Sequence, residues 1–379
     1  MGTNISIQKS IKKFPLLLYT MNTMKILHVI TSLRTGGAEK LIVDLVPRLN
    51  QIGPHQVDVA LFDGIETPFK QKLQATGCKI YDLSHHSNVY HPILIYRLCK
   101  LMRHYDVVHT HNTAPQLFAA IASLFCSAKL YTTEHSTNNR RRKLKCYKII
   151  DRWMYNRYHT IVCISPKAKE NLINFIGLKS TSRTTIINNG VDVCAFYQAK
   201  PNPALRNGSS RFVVVMVAGF RWEKDQDTLI RAMSHLPKEK FELWLIGDGE
   251  RRKELEQLVN QLKVNQQVRF WGIRSDIAEI LHTADAVVMS SHFEGLSLSS
   301  IEGMAVGKPF IASDVDGLHD TTINAGILFP HQDEQALAKI IEELANDSNY
   351  YQTIAQSCYE RAKLYYIDKT VQEYATLYS

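Results

Sequence analysis

The sequence predicts an α/β protein built from two doubly wound parallel sheets that face a central cleft. Short apolar strand-like runs alternate with helix-like runs over most of the chain, which is the pattern of repeated βαβ units. A segment rich in Pro, Asn, Gly and Ser separates two such series. The length of 379 residues is sufficient for two hydrophobic cores, so we expect two domains with a ligand site between them.

The first series predicts an N-terminal domain over residues 24–198. Strand-like runs occur at 25–31, 57–62, 79–82, 106–109, 129–133, 160–164 and 184–187. Helix-like runs lie between them, and the first, at 40–50, follows a Gly-Gly turn. Because regular strand-like sequence begins only at Met24, we interpret residues 1–23 as a flexible N-terminal extension.

The second series predicts a C-terminal domain over residues 211–349. Its strand-like runs occur at 212–218, 242–246, 268–271, 286–289 and 309–312. Residues 199–210 form the expected linker between the two domains. Residues 350–379 have a helical pattern and are rich in tyrosine, and we expect them to pack across the junction between the domains.

Composition narrows the class of protein. The chain is 45% hydrophobic and 21% charged, as in ordinary globular proteins, and no apolar run approaches the roughly 20 residues of a membrane span. The 7 cysteines include no Cys-x-x-Cys pair, which argues against a disulfide framework or a zinc knuckle. This cysteine usage favours a reducing compartment, so we expect a cytoplasmic protein.

Charge is distributed unevenly between the two halves of the chain. Residues 1–195 carry 26 Lys and Arg against 11 Asp and Glu, a net charge of +15, whereas residues 196–379 carry 19 against 25, a net charge of −6. The densest basic cluster lies within 140–157, where aromatic residues are interspersed. Such a segment suits an anionic surface at the inner face of the cell membrane, with a solvated helix face as the alternative. Nucleic acid is the least favoured partner, and we expect none.

Two glutamates eight positions apart, Glu294 and Glu302, flank the predicted start of a helix. Ser297 or Ser299 could cap that helix. Eight helical residues rise about 12 Å, which is comparable to the span of a nucleotide diphosphate sugar from ribose to hexose. Carboxylates at both ends and a helix N-terminus between them could bind the hydroxyls and the diphosphate. On spacing alone, two solvated glutamates beside an ordinary helix are the favoured interpretation, so the rest of the chain must decide.

The order of short motifs resembles that of the GT-B glycosyltransferases of family 4, a retaining family that includes bacterial polysaccharide and lipid-linked sugar transferases. The motifs are TSLRTGGAEK (31–40), DVVHTHNT (106–113), TTEHS (132–136), CISPKAKENL (163–172), NNGVD (188–192), FRWEKDQDTLIRA (220–232), GDGERRKELE (247–256) and FEGLSLSSIEGMAV (293–306). The resemblance spans residues 24–367, nearly the whole chain. It implies a GT-B fold of two Rossmann-like domains, in which the first binds the acceptor and the second binds the nucleotide sugar.

The resemblance implies where the donor diphosphate binds. Gly36 and Gly37 follow the first strand, where backbone N–H groups can approach a phosphate, and in the family this loop faces the diphosphate. Lys224 matches a family position for the leaving diphosphate. Gly219 stands where the family has an arginine, and we expect Arg221 to take over its role. Both cations would act in catalysis by stabilising the charge that grows on the leaving group.

Further donor contacts follow from the same resemblance. Glu302 would bind the ribose hydroxyls, and Glu294 would contact the hydroxyls of the transferred sugar as a catalytic group. Gly247 and Asp248 would lie near the nucleotide, although Asp248 could simply cap the helix that follows. The β-phosphate would meet the backbone of the segment Gly295, Leu296, Ser297 and Leu298.

Two histidines follow strands of the first domain. His135 would lie at the edge of the cleft, where it could bind the donor sugar or stabilise charge near the anomeric carbon; a structural histidine is the alternative. His111 is the expected acceptor contact. Although the chain has 15 histidines, no His-Glu-x-x-His or comparable spacing occurs, so we predict no metal and no cofactor. The Asp-x-Asp sequence at 314–316 mimics a metal motif, but we interpret it as a coincidence in a helix-capping context.

These expectations combine in a metal-independent, retaining hexosyltransferase that moves a hexose from a nucleotide diphosphate sugar to a lipid-linked or oligosaccharide acceptor. A GT-B nucleotide-sugar epimerase or hydrolase is the alternative among enzymes. A glycosidase that uses Glu294 and Glu302 as its carboxylate pair fits the phosphate-binding neighbours less well. A sugar-nucleotide-binding protein without activity is the non-enzymatic alternative. The sequence leaves the sugar, the base, the acceptor and the linkage open.

Overall fold

The structure of the protein is a computed structural model that describes residues 23–34, 36–85, 88–135, 145–177 and 183–379. Within these residues, thirteen strands form two parallel sheets, one of seven strands and one of six. The predicted α/β class with two parallel sheets is therefore confirmed. The expected extension 1–23 lies outside the described residues except for its last position.

The first sheet has the spatial order β3-β2-β1-β4-β5-β6-β7. Its strands are β1 (Lys25–Ile30), β2 (Gln56–Leu61), β3 (Ile80–Asp82), β4 (Val107–His111), β5 (Lys129–Glu134), β6 (Thr160–Cys163) and β7 (Thr184–Ile186). The helices between them are α1 (Gly37–Ile52), α2 (Pro68–Ala75), α3 (Ile93–Met102), α4 (Thr113–Ala122), α5 (Lys145–Asn156) and α6 (Pro166–Ile176). Neighbouring side chains of β1, such as Ile26 and Leu27, pack into two different core clusters, so both faces of this sheet are covered.

The second sheet has the spatial order β10-β9-β8-β11-β12-β13. Its strands are β8 (Phe212–Val217), β9 (Phe241–Ile246), β10 (Val268–Gly272), β11 (Ala286–Met289), β12 (Phe310–Ser313) and β13 (Ile327–Phe329). The remaining helices are α7 (Val193–Gln198), α8 (Gln226–Ser234), α9 (Arg252–Gln261), α10 (Ile277–Thr283), α11 (Leu298–Ala305), α12 (Leu318–Thr322), α13 (Glu334–Asn346), α14 (Ser348–Ala362) and α15 (Ile367–Tyr378). Every residue of β9 and β11 is buried, as expected for central strands of a parallel sheet.

Every predicted strand is present, and its ends differ from the prediction by at most two residues. The prediction missed β13, which has only 3 residues and directly follows Gly326. It also placed the start of α1 at Lys40, whereas the helix begins at Gly37. The reason is that glycine has a low helix propensity, so the Gly-Gly turn concealed the first turn of the helix.

The strand order of each sheet reverses between two neighbouring strands, β1 and β4 in the first sheet and β8 and β11 in the second. Loops that leave the carboxyl ends of such strands diverge and open a crevice. Gly36 follows β1, His111 ends β4, Lys224 follows β8 and Glu294 follows β11. The predicted site residues therefore gather at these two crevices.

The chain crosses between the two sheets at both ends of the second series. Helix α7, at the end of the expected first domain, packs into the core of the second sheet through Phe196. Within the expected linker 199–210, Arg206 forms an ion pair with Asp285 at 2.7 Å. At the other end, α14 packs on the second core, whereas α15 returns to the first through Tyr374.

Helix α5 presents an exposed face that is both apolar and basic. Ile149 is 76% exposed and Trp153 is 41% exposed. Lys148 and Arg152 are also exposed. The basic cluster at 140–144, which motivates the expected membrane contact, lies outside the described residues. Among the described helices, none is both long enough and apolar enough to cross a lipid bilayer.

Candidate active site

An ion pair between Lys224 and Glu294 lies at the carboxyl edge of the second sheet. Lys224 ends a 3-10 turn after β8, and its Nζ contacts Glu294 Oε1. Ser291 donates a hydrogen bond to the same oxygen at 2.8 Å. The two charged side chains are only 17% and 11% exposed. The structure thus brings two predicted catalytic groups into direct contact, and a bound diphosphate would compete with Glu294 for Lys224.

The loop 314–317 supports the Glu294 turn. The Glu294 N–H donates to the Asp316 carbonyl at 3.1 Å. Gly317 has a φ of +84°, and a Cβ there would lie 2.4 Å from the carbonyl oxygens of Glu294 and Gly295. Only glycine allows this approach. The expected helix-capping role of the Asp-x-Asp sequence is wrong, because α12 starts after Gly317 without a side-chain cap.

Arg221 folds back over the position that the family arginine would occupy. Its Nε lies 3.5 Å and its Nη2 lies 3.9 Å from the place that a Cβ on Gly219 would take. The side chain is exposed, and no acidic group of the described residues lies within ion-pair distance of it. An unpaired guanidinium at this edge fits the predicted role of Arg221 in binding an anionic leaving group.

The turn after β9 packs tightly against the turn after β8. Gly247 has a φ of +134°, and a Cβ there would lie 2.1 Å from a carbonyl oxygen of that turn. The Asp248 carbonyl accepts from the Phe220 N–H at 3.0 Å. Asp248 does not cap α9, because the N-cap is Arg251. Its carboxylate accepts instead from the next backbone N–H at 2.8 Å and lies beside the turn.

Helix α11 begins at Leu298, with Ser297 as its N-cap. The premise of eight helical residues between the two glutamates was therefore wrong, because Glu294 precedes the helix and only Glu302 lies in it. The start of α1 faces the start of α11, since a Cβ on Gly37 would lie 3.8 Å from Leu298 Cδ1. Two helix N-termini, each with partial positive charge, thus meet across the cleft.

The N-terminus of α1 is covered by a carboxylate of its own first turn. Gly36 is the N-cap, and a Cβ on it would lie 2.2 Å from Glu39 Oε2. Burial raises the pKa of Glu39, although a backbone hydrogen bond opposes this shift. A phosphate at Gly36 and Gly37, as the sequence predicts, would require the Glu39 carboxylate to turn away.

Glu302 is paired across the cleft with Lys40 of α1. The distance from Lys40 Nζ to Glu302 Oε1 is 3.5 Å, and Lys40 also contacts Asp44 at 3.2 Å. Glu302 is 5% exposed, and its Oε1 has no hydrogen-bond donor within the described residues. Burial raises the pKa of Glu302, whereas Lys40 acts to lower it. A buried carboxylate with spare acceptor capacity fits a ligand hydroxyl, as the predicted ribose contact requires.

A buried hydrogen-bonded network connects His135 with helix α15. This histidine network runs in order through Tyr374, Thr133, His109, Tyr378, His28, His111 and His135. Its donor–acceptor distances lie between 2.7 and 3.2 Å. Burial lowers the pKa of His28 to about 3 and that of His135 to about 4, so these rings are neutral near pH 7.

The histidine network couples the tautomer of His135 to the hydroxyl of Tyr374. A neutral imidazole donates one hydrogen bond and accepts one, so the network has two uniform orientations. In the first, Tyr374 donates into the network and Nδ1 of His135 carries a hydrogen, but this buried nitrogen has no acceptor within the described residues. In the second, the buried hydroxyl hydrogen of Tyr374 is the one that has no acceptor there. Each orientation therefore leaves one buried donor unpaired, and a ligand oxygen at Nδ1 would favour the first.

The structure corrects the expectation that His111 contacts the acceptor. Strand β4 extends to His111, two residues beyond the predicted strand end, and the side chain is fully buried. His111 lies 3.0 Å from His28 and 2.8 Å from His135, measured between ring nitrogens. His111 is therefore a buried hydrogen-bond partner of His135 and does not face the cleft.

Two family models match the sequence, one over each sheet. Residues 35–194 match the model described as Glycosyltransferase Family 4, and residues 201–361 match Glycosyl transferases group 1. The chain belongs to the group 1 glycosyltransferases. It is therefore a transferase enzyme, which decides against the epimerase or hydrolase, the glycosidase and the inactive binding protein as alternatives.

Individual relatives of this glycosyltransferase cover most of its length. The lipopolysaccharide core biosynthesis glycosyltransferase LpsD of Rhizobium meliloti is 26% identical over 92% of this chain and 96% of its own. The UDP-Gal:alpha-D-GlcNAc-diphosphoundecaprenol alpha-1,3-galactosyltransferase of Escherichia coli is 27% identical over 59% of this chain and 62% of its own. The crystal structure of Anabaena HepE with UDP-glucose has a TM-score of 0.81, at 24% identity over 93% of this chain and 99% of that one. This last likeness confirms the GT-B fold.

Sequence patterns did not single out several residues of the glycosyltransferase site. Lys40 is the last residue of the TSLRTGGAEK motif, but its pairing with Glu302 depends on how the two sheets face each other. Tyr378 contacts His28, although the two residues lie 350 positions apart in the sequence. A local sequence pattern cannot predict such a contact. Ser291 follows an apolar strand as an ordinary loop residue, and only its bond to Glu294 reveals its position in the site.

We predict that Tyr374→Phe shifts His135 towards the Nε2–H form. The variant lacks the hydroxyl hydrogen that is unpaired in that orientation, whereas the Nδ1–H form keeps its unpaired buried donor. Nitrogen-15 NMR of histidine-labelled protein measures the tautomer, and His135→Gln assigns the signal. The ratio of the two forms should change at least about fivefold, as ~1 kcal/mol implies. Thr353→Val, at an exposed site on α14, should change nothing; an unchanged ratio in Tyr374→Phe would refute the coupling.

Proposed function

We propose that this glycosyltransferase moves a hexose, with retention of anomeric configuration, from a nucleotide diphosphate sugar to a lipid-linked or oligosaccharide acceptor in cell-surface polysaccharide biosynthesis. One observation carries the proposal. Two cations, two helix N-termini and a buried carboxylate with spare acceptor capacity converge where the carboxyl edges of the two sheets meet. Cations and helix N-termini suit a diphosphate, and the carboxylate suits ribose hydroxyls.

Each polar group then has a part in donor binding. Arg221 and Lys224 bind the diphosphate, and Glu294, released from Lys224, accepts from hydroxyls of the hexose. Glu302 accepts from the ribose hydroxyls, which replace the long ion pair to Lys40. The backbone of 295–298 meets the β-phosphate at the start of α11.

The chemistry of retention needs few protein groups. The bond from the anomeric carbon to the diphosphate oxygen breaks while the acceptor oxygen bonds to the same face of that carbon. The leaving diphosphate takes the acceptor proton. Arg221 and Lys224 stabilise the charge that develops on the diphosphate, so we propose that the transfer itself requires no metal ion. His135 Nδ1 has no partner among the described residues, and in its Nδ1–H form this histidine donates to an oxygen of the donor substrate.

The relatives suggest the classes of donor and acceptor. The Escherichia coli relative is a galactosyltransferase with a UDP-Gal donor and a diphosphoundecaprenol-linked acceptor, and HepE binds UDP-glucose in its crystal structure. We therefore propose a UDP-hexose donor and a diphosphate-linked lipid acceptor for this chain. A thermal-shift screen across UDP, GDP and ADP hexoses identifies the base and the sugar before kinetics are measured.

Lys224→Ala and Glu302→Ala should each lower the transfer rate by about 10²-fold, equivalent to ~2.7 kcal/mol of lost stabilisation. Lys224→Ala should act mainly on kcat, because charge develops on the diphosphate only as the bond breaks. Glu302→Ala should act mainly on KM for the donor, because the ribose takes no part in bond breaking. Initial rates with the identified donor measure both effects.

The matched control for these variants is Glu360→Ala. Glu360 forms an exposed ion pair with Lys363 at 2.7 Å and should leave both the rate and the thermal stability unchanged. Unmodified rates in Lys224→Ala or Glu302→Ala, with the fold intact, would contradict the site. A chain that binds nucleotide sugars but transfers none to any lipid or oligosaccharide would contradict the proposed function.

We also propose that the enzyme docks on anionic lipid through α5, which would place it at the inner face of the cell membrane. The exposed face of α5 carries Ile149 and Trp153 beside Lys148 and Arg152. Phe125, three residues after the end of α4, is 64% exposed. Apolar side chains flanked by basic ones suit the headgroup region of an anionic bilayer.

Binding to vesicles that contain anionic lipid should weaken as salt rises and should be absent with neutral vesicles. Ile149→Asp should reduce this binding at least tenfold, because it places a like charge against the anionic surface. The matched control is Ile273→Asp, at a position on the second domain that is 66% exposed. Cosedimentation measures the binding. Equal affinity for neutral and anionic vesicles, or equal loss in both variants, would count against docking through α5.

A further inference from the structure

We propose that Asp225, His292 and His331 bind a divalent transition-metal ion, with Zn²⁺ the best match, beside the donor site. The three residues come from separate loops at the carboxyl edge of the second sheet. Asp225 lies between the turn after β8 and α8, His292 follows β11 and His331 follows β13. None of the donor contacts proposed above involves these side chains.

The ligand atoms are close enough for one ion. His292 Nδ1 lies 2.8 Å from His331 Nε2 and 3.6 Å from Asp225 Oδ2, and all three atoms lie within 4.8 Å of one another. Zinc bonds to histidine nitrogen and carboxylate oxygen are about 2.0–2.2 Å, which sets tetrahedral ligand atoms roughly 3.3 Å apart. Small side-chain movements therefore suffice to bring all three atoms to a common ion, with water completing the shell.

The charges of the three groups also favour a cation. Asp225 is 3% exposed, and no lysine or arginine of the described residues lies within ion-pair distance of it. Its carboxylate accepts from Thr228, through the backbone N–H at 3.3 Å and the hydroxyl at 2.7 Å. These hydrogen bonds do not supply a positive charge to balance the carboxylate. Burying a carboxylate without such a counter-charge costs folding free energy.

The pair of His292 and His331 can be reached by an ion from solvent. The His292 side chain is 8% exposed, whereas His331 is exposed to solvent. Two imidazoles in direct contact form a hydrogen bond, in which one nitrogen carries the hydrogen and the other supplies a lone pair. A metal ion between them would instead accept a lone pair from both nitrogens. Imidazole nitrogen with a single carboxylate is a ligand set typical of zinc and unlike the all-oxygen shells of Mg²⁺ or Ca²⁺.

An ion at this position would join two loops that carry donor-binding residues. Asp225 follows Lys224 directly, and His292 lies two residues before Glu294. The same loops are already linked, because the His292 N–H donates to the Glu223 carbonyl at 2.9 Å. We expect the ion to fix the relative position of these loops without taking part in transfer. This expectation about the loops rests on the proposed donor site, whereas metal binding itself does not.

A built-in reporter allows a direct test. The Trp222 and His292 rings lie 4.4 Å apart between centroids, so Trp222 emission should change when His292 binds a metal. Metal-free protein without any affinity tag is titrated with Co²⁺, which shows a visible absorption band in a tetrahedral site, and then with Zn²⁺ in competition. We expect one equivalent of Co²⁺ to bind and to quench the Trp222 emission. We expect Zn²⁺ to displace the bound Co²⁺.

His331→Ala should weaken binding at least tenfold, and because the side chain is exposed the fold should be retained. The matched control is His319→Ala. His319 is also exposed and lies 2.6 Å from Asp314, but that pair lacks a second histidine. Binding should be unchanged in the control. A lack of stoichiometric metal binding, or equal weakening of metal binding in both variants, would overturn the metal site. UDP-hexose binding is measured separately on His331→Ala, so that failure of the metal site can be distinguished from failure of the donor site.

Discussion

An ion pair between Lys40 on α1 and Glu302 on α11 crosses the cleft between the two sheets. Removing one partner from a buried pair typically costs about 3–5 kcal/mol, because the other charge is left without compensation. Glu302 is buried, so it stays paired with Lys40 until another group takes over. Under the proposed function, the ribose hydroxyls of the donor do so. The position of α1 against α11, and with it the shape of the proposed donor site, would then depend on this exchange.

The second connection between the two halves is covalent. Helix α15 leaves the second sheet and packs on the first, where Tyr374 and Tyr378 enter the histidine network. The direction of the hydrogen bonds in that network couples the buried hydroxyl of Tyr374 to the tautomer of His135 at the other end. A side chain of the last helix is thus linked to the atom that His135 presents at the edge of the cleft.

Much of the fold could be predicted because parallel strands have a simple signature. Strand-like runs in the sequence located every strand except β13. Parallel sheets align the carboxyl ends of their strands, so residues that follow strands could be placed at one edge, as with Lys224 and Glu294. Predictions failed where they depended on local geometry, as when the rise of eight helical residues was taken for the span from Glu294 to Glu302, although the helix begins only at Leu298.

The contacts across loops and sheets could not be predicted from the sequence. Lys40 and Glu302 lie 262 positions apart, and their contact follows from the mutual orientation of two sheets. The encounter of His292 with His331 depends in the same way on two loops whose lengths give no hint of their paths. Motif order predicts which residues bind a donor, but it could not predict which protein groups these residues contact in the ligand-free structure.

A crystal structure of the enzyme with a bound UDP-hexose tests the central claim most directly. The account predicts that both ribose hydroxyls donate to Glu302, that the contact between Glu302 and Lys40 is lost, and that Arg221 and Lys224 contact the diphosphate. A nucleotide bound elsewhere, with the ion pair between Lys40 and Glu302 intact, would contradict it.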